Sequence, residues 1–244
     1  MKKLLLVVAI LAGIFSSCGD EEVVLDPLKT GQAYYPMEVG TYRVYNVKET
    51  KYTNNVGTTT LLQTRELVKG VSKDQTGKEW YTVEVSQRAN ANQSWIVTGV
   101  KAISKSTRDL QLQTNNRIVV EMVYPVEEGK SWNPNAFNPN YFPKEEDRQL
   151  RDTFFYEQIG ASFDVAGKTY PNTLKVNKAK SDPDDFINEV EVYEIYAADL
   201  GSIYRFSKVR YNCDASPGTN CQIGSGYIIS GTDRIEELES SGKI

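Results

Sequence analysis

The chain of 244 residues carries three cysteines and no histidine. Without His there is no Ser-His-Asp triad, no imidazole general base and no His-containing zinc site. Cys213 and Cys221 enclose DASPGTN, whose Asp, Ser, Pro and Gly are turn formers that can bring the two ends together. In an oxidising compartment that spacing predicts a disulfide. A redox pair or half of a metal site would need C-x-x-C spacing, a further Cys or a His, and the chain supplies none of them.

Other motifs that could do chemistry read as structural. Gly167-Lys168-Thr169 matches the end of a phosphate-binding loop, but Ser162 stands where that motif needs another Gly, so a hairpin turn is expected. Asp182-Pro183-Asp184-Asp185 could offer carboxylates to calcium, but without EF-hand spacing it reads as a turn. Glu121, Glu189, Glu191 and Glu194 lie in strand-like segments and read as alternating solvent-facing residues rather than a glycosidase pair. Serines lack both a G-x-S-x-G elbow and a His base. The segment Trp132-Asn133-Pro134-Asn135-Ala136-Phe137-Asn138-Pro139-Asn140-Tyr141-Phe142-Pro143 stands apart, mixing aromatics with Asn and Pro. Pro and Asn preclude continuous regular structure there. As a loop on a rigid scaffold it could hold rings against a sugar, which makes Trp132, Phe137, Tyr141 and Phe142 the ligand candidates. The competing expectation is a crossover whose aromatics fill the end of the β structure. No catalytic residue, metal site or cofactor is expected.

The N-terminus locates the protein. Lys2-Lys3, an apolar run from Leu4 to Phe15 and Ser16-Ser17 form a basic region, a hydrophobic core and a small-residue cleavage site. The run is shorter than the roughly 20 residues that span a bilayer. Phe15 to Cys18 is similar to the lipobox of bacterial lipoproteins, with Phe15 where Leu is usual. That likeness implies a diacylated Cys18 as first mature residue, and two acyl chains give stable anchoring. Asp20-Glu21-Glu22 is similar to the acidic signal of surface-exposed Bacteroidota lipoproteins, which implies the outer membrane and its exterior face. Residues 1–17 are then the signal peptide, 18–33 a lipid-anchored linker and 34–240 the folded domain. Losing residues 1–17 removes two lysines and shifts the net charge from −4 to −6, so nucleic acid is not an expected partner.

The mature chain is dense in β-branched and aromatic alternation between Gly, Asn and Asp turns. About eleven strands are expected, from TYRVYNVKETKY near the start to GSGYIISG near the end. Lys144–Arg151 and Asp233–Ser240 read as two short helices. The class is all-β and mainly antiparallel, a sandwich or barrel. Tyr35-Pro36-Met37-Glu38-Val39-Gly40 recurs as Tyr124-Pro125-Val126-Glu127-Glu128-Gly129, and Gly77-Lys78 as Gly167-Lys168. These echoes raise the alternative of two related halves, 34–120 and 121–240.

YYPMEVGTYRVYNV, VYPVEEGKSW, SFDVAGKTYPNTLKV and YEIYAADLGSIYR, in that order, resemble a pattern in uncharacterised Bacteroidota lipoproteins: a Y-P-x-x-x-G-x-x-W-x-Y start, a V-x-A-G-T-[FY] hairpin and an aromatic-Ala segment closing in a Gly turn. Arg43 replaces the usual Trp. The resemblance implies a β-rich envelope lipoprotein and brings no catalytic residue with it. The expected function is a non-enzymatic binding or structural role at the envelope, with the membrane and a glycan or envelope protein as partners. The alternative is a carbohydrate-binding accessory lipoprotein.

Overall fold

The computed structural model describes residues 26–138, 153–216 and 220–244. Cys18, Tyr141, Phe142 and the helix expected over Lys144–Arg151 lie outside them.

The described chain is one twelve-stranded antiparallel sheet that curls into a nearly closed barrel. Its strands are β1 (Thr41–Thr53), β2 (Val56–Lys73), β3 (Glu79–Arg88), β4 (Ile96–Lys105), β5 (Asp109–Thr114), β6 (Arg117–Val123), β7 (Ser131–Trp132), β8 (Phe154–Val165), β9 (Lys168–Lys180), β10 (Asn188–Ala197), β11 (Gly201–Asn212) and β12 (Ile228–Lys243). The spatial order β6-β5-β4-β3-β2-β1-β12-β11-β10-β9-β8-β7 is two six-strand meanders joined where β1 pairs β12. Both sequence echoes fall at equivalent points of these meanders. Gly40 and Gly129, each at positive φ, precede β1 and β7, while Gly77 and Gly167 turn the second strand of each half into the third.

Three expectations are corrected. Asp233–Ser240 is strand, the middle of β12, because it pairs β1 along its length and β11 as far as Glu237, with Arg234, Glu236 and Leu238 on the inner face and Asp233, Ile235 and Glu237 on the outer. Residues 26–33 are not a free linker. A short helix α1 (Pro27–Thr30), capped by the Asp26 carboxylate, and a 3-10 turn (Gln32–Tyr34) pack on the barrel. The domain also runs past residue 240, since the Ile244 N–H bonds the Gly40 carbonyl (3.0 Å).

A meander alternates its turns between two ends. The base holds the N-terminal segment, the C-terminus and turns 74–78, 106–108, 124–130 and 198–200; the mouth holds turns 54–55, 89–95, 115–116 and 181–187 and the described residues 213–216 and 220–227. The N-terminal segment plugs the base. Lys105 Nζ donates to the Gln32 and Tyr35 carbonyls (2.6 and 2.9 Å), and Asp199 N–H to that of Ala33 (2.9 Å). Burial pushes the Lys105 ammonium down to about 8. Tyr34 and Tyr35 join Val68, Ile103, Leu110, Met122, Leu174 and Tyr196 in a core above the plug. Burying such a side chain is worth roughly 1.5–3 kcal/mol each. Arg43 takes part in the closure: buried against the Tyr35 ring (5.2 Å), it donates to the Pro36 and Leu200 carbonyls (3.1 and 2.5 Å). Gly201, at φ +89°, leaves room for that guanidinium, which a Cβ would meet at 2.6 Å.

β7 has only two residues, so the seam opposite β1–β12 cannot close by a regular ladder. Trp132 and the residues after it close the gap with backbone and side-chain hydrogen bonds. Val120 N–H donates to the Pro134 carbonyl (2.9 Å) and Trp132 Nε1 to the Val120 carbonyl (2.8 Å). The Asn138 carboxamide bridges both backbone groups of Ile118, and Arg117 donates to Asn135 Oδ1 (2.8 Å).

Candidate functional site

Inward-facing positions of the barrel carry an unbroken chain of ion pairs. Residues opposite one another in an antiparallel pair share a face, which aligns Glu49, Arg234, Glu236, Arg205 and Glu194 down one wall. Lys178 on β9 reaches past β8 and over the seam to Glu121 on β6 (2.5 Å) while holding Glu194 (2.7 Å). Arg205 touches three carboxylates: Glu194 (2.8 Å), Glu66 (2.9 Å) and Glu236 (3.0 Å). Its guanidinium also lies over the Tyr45 ring (4.4 Å) and reaches the Tyr45 hydroxyl (3.3 Å). Lys101 holds Glu66 (2.7 Å), and Arg234 holds both Glu236 and Glu49 (2.7 Å each). Beside the bridge lies a cavity of about 250 Å³, lined by Lys101, Glu121, Lys178, Glu194 and Arg205 and by Tyr35, Ile103, Leu110 and Tyr196.

The electrostatics decide what this interior can do. Burial alone would raise the Glu66 carboxyl, but Arg205 and Lys101 outweigh it and bring it down to about 2. Burial opposes ionisation of Glu194 too, and Lys178 and Arg205 outweigh it, holding the group well below the usual range. Burial would lower Lys178, yet Glu121 and Glu194 keep it above the ordinary lysine value. A general acid or base needs a pKa near the working pH, and a lysine nucleophile must lose its proton. These groups are pushed the other way. Lys101, Lys178 and Arg205 also balance Glu66, Glu121 and Glu194, so the inner cluster leaves no net charge to attract an ion.

One outcome is acid sensitivity. The folded-state pKa values of Glu66 and Glu194 lie below the unfolded value near 4.5. The stability they contribute is present above pH 4.5 and lost as pH falls from there toward about 2. Urea unfolding at stepped pH is expected to show stability falling through that window; a flat profile from pH 5 to pH 2.5 would contradict the network.

The residues singled out by sequence are scattered. Cys213 and Cys221 form the disulfide (Cα–Cα 5.9 Å), linking the end of β11 to the strand-poor segment before β12 at the mouth. In the chain-entropy picture, so short a loop contributes about 2–3 kcal/mol. Trp132 is half-buried in the seam, packed on Tyr156 (4.6 Å) and Phe154 (6.1 Å). Phe137 is 49% exposed, with Lys78 Nζ 5.9 Å from its ring. Of the predicted ligand rings that are described, these two do not form a shared plate. Asp182 and Asp185 spend their carboxylates on the backbone N–H groups of Asp184, Ile187 and Asn188, as a turn requires. Gly167-Lys168 sits in the β8–β9 hairpin turn.

Glu121 and Glu194 correct the expectation of solvent-facing glutamates: both are buried and point into the barrel. Glu189 keeps that expectation, pairing with Lys208 and Arg210 on the outside. The signal for the interior cluster was present as phase. Lys178 continues the inward series Leu174, Val176, and Glu194 stands between Val192 and Tyr196 in the same alternation.

The chain matches no family profile and no curated protein. It is similar in outline to two solved structures. One is a protein of Bacteroides fragilis NCTC 9343 classed as exported, with a YmcC-like fold; it is 10% identical over 86% of this chain and 98% of that one, with a TM-score of 0.44. The other is a Parabacteroides distasonis ATCC 8503 protein classed as a lipoprotein, 12% identical over 86% and 98% of the two chains, with a TM-score of 0.39.

Proposed function

We propose that the protein is a lipid-anchored, non-enzymatic binding barrel of the cell envelope, tethered through Cys18 to the outer membrane and facing the exterior. The observation that carries this reading is the plugged base. The described chain enters the barrel there at Asp26, and seven residues separate it from Cys18, a reach over eight peptide steps of at most about 28 Å. A lipid on Cys18 therefore holds the sealed end toward the bilayer and presents the mouth and flanks to whatever lies beyond. The non-enzymatic part rests on the ion network, whose groups are locked in their charged forms by their partners rather than tuned for proton transfer.

The test is fractionation with mass spectrometry. Cys18→Ser is expected to leave the precursor uncleaved or release the protein from membranes, while the wild type yields a diacylated N-terminal Cys18 peptide. An unmodified Cys18 still continuous with Phe15 in membrane-bound protein would sink the reading. Accessibility of wild-type protein to protease added to whole cells tests the outward orientation.

A further inference from the structure

We infer that the outer face of the barrel across β10, β11, β12, β1, β2 and β3 is a binding site for a neutral polysaccharide chain. The inference rests on the reading of the protein as a binding barrel and moves the site away from the Trp132 loop. Register places Tyr193, Phe206, Ile235, Lys48 and Leu61 in one row across five strands, and Tyr204, Glu237, Asn46, Gln63 and Arg88 in the next. The strip crosses six strands, roughly 24 Å at the usual strand spacing. Its middle is a groove of about 640 Å³, walled on one side by the Ala89-Asn90-Ala91 loop.

The composition of the strip selects the ligand. At one end Tyr193 stacks on Phe206 (5.0 Å, 24°) and Tyr204 (6.0 Å, 27°), with Lys175 Nζ over the Tyr193 ring (4.5 Å), a half-buried aromatic cluster whose outer side gives a pyranose an apolar surface to pack against. Carboxamides occupy the centre. Asn46 Oδ1 accepts from Gln63 Nε2 (2.8 Å) and Gln63 Oε1 from Arg88 (2.8 Å). That chain aligns the amides and leaves the Asn46 NH₂ free to donate to hydroxyls. Arg88 is itself fixed, lying on the Trp95 ring (4.2 Å) and bonded to the Ala91 carbonyl (3.2 Å). Lys48 and Glu237 have no ion-pair partner among the described residues and offset each other, which leaves Arg88 as the one uncompensated charge of the strip, held by the Trp95 ring, Gln63 and the Ala91 carbonyl. Nearer the mouth, Arg210, Asp233, Glu189 and Lys208 are paired with one another, and Arg65 pairs with Glu84 and Lys175 with Glu157. A strip with an aromatic cluster, a free carboxamide donor and a single cation already held by Trp95 suits a polyhydroxylated neutral chain better than a nucleic acid or an acidic polymer, which would call for several cations.

The test is affinity electrophoresis of the detergent-solubilised full chain through native gels cast with xylan, mannan, dextran or soluble starch, with a heparin gel for comparison. Retardation is expected in at least one neutral gel and not in heparin. Leu61→Ala, at a position 68% exposed, and Asn46→Ala, also exposed, leave the core untouched and are expected to weaken retention about tenfold, a loss of about 1.4 kcal/mol. Phe206→Ala is expected to do at least as much, and Val71→Ala, exposed elsewhere on β2, to do nothing. No retardation in any neutral gel, stronger retardation in heparin, or equal retention by Leu61→Ala, Asn46→Ala and wild type would each overturn the inference. A protein that binds no glycan but still carries lipid on Cys18 leaves the envelope reading standing. One that binds but lacks the lipid overturns the anchor alone.

Discussion

Replacing Lys178 by Met is expected to cost about 3–5 kcal/mol of stability, the usual penalty for leaving a buried charge without its partner. Lys178 is the only residue among those described that pairs with Glu121, whereas Glu194 keeps Arg205 when Lys178 is lost. The damage should therefore localise to Glu121. The double variant Lys178→Met/Glu121→Gln removes one charge of each sign and should recover much of the loss. The single variant should also lose its deficit in mild acid. An unpaired buried carboxyl has its folded pKa raised above the unfolded value, so its protonation favours the folded state as pH falls. Urea denaturation of the single and double variants at pH 7 and pH 5 measures both effects. A single variant within about 1 kcal/mol of wild type would show that the lumen is wet enough to solvate Glu121 by itself.

Trp132→Ala is expected to destabilise by about 3 kcal/mol, the low end for emptying an aromatic site because the ring is half-buried. For a domain of this length that corresponds to a Tm lower by roughly 6–12 °C. Three supports go at once: the packing on Tyr156 and Phe154, the indole N–H bond to the Val120 carbonyl and the position of the Asn-rich segment that follows. Val120 would then face an open seam, so hydrogen exchange at β6 should rise more than at β1 or β12, where the ladder is continuous. If Trp132 were instead a ligand plate, Tm would hold while glycan retention fell. Thermal melts and affinity electrophoresis on this one variant separate the two.

How much of this was legible before the structure depends on whether the relevant contacts are local. Turn chemistry at Gly77, Gly167 and Asp182, together with two-residue alternation, is written in a few neighbouring residues, and the hairpins follow it. The Cys213–Cys221 bridge was legible for the same reason, being closed by a short turn-forming loop. Asp233–Ser240 was misread because Arg, Glu and Leu at mixed spacing suit an isolated helix; two flanking strands, distant in sequence, override that preference. The two-residue β7 escaped detection because it is defined by its partner β8 and by side chains that finish the seam.

The charged lumen marks the division most clearly. The amino-acid sequence on its own determined an all-β, His-free chain and raised the expectation of an export signal, since composition and short-range pattern carry that information. It also held the clue that Lys178 and Glu194 stand in phase with apolar neighbours. Only the tertiary structure decided which face of each strand is interior. One sheet closing on itself brings β9 against β6 and β11 against β2, so that charges 57 residues apart, as in Glu121 and Lys178, become partners. Curvature and closure arise from the twist summed over twelve strands and from the bulges between them, and no window of neighbouring residues contains that sum.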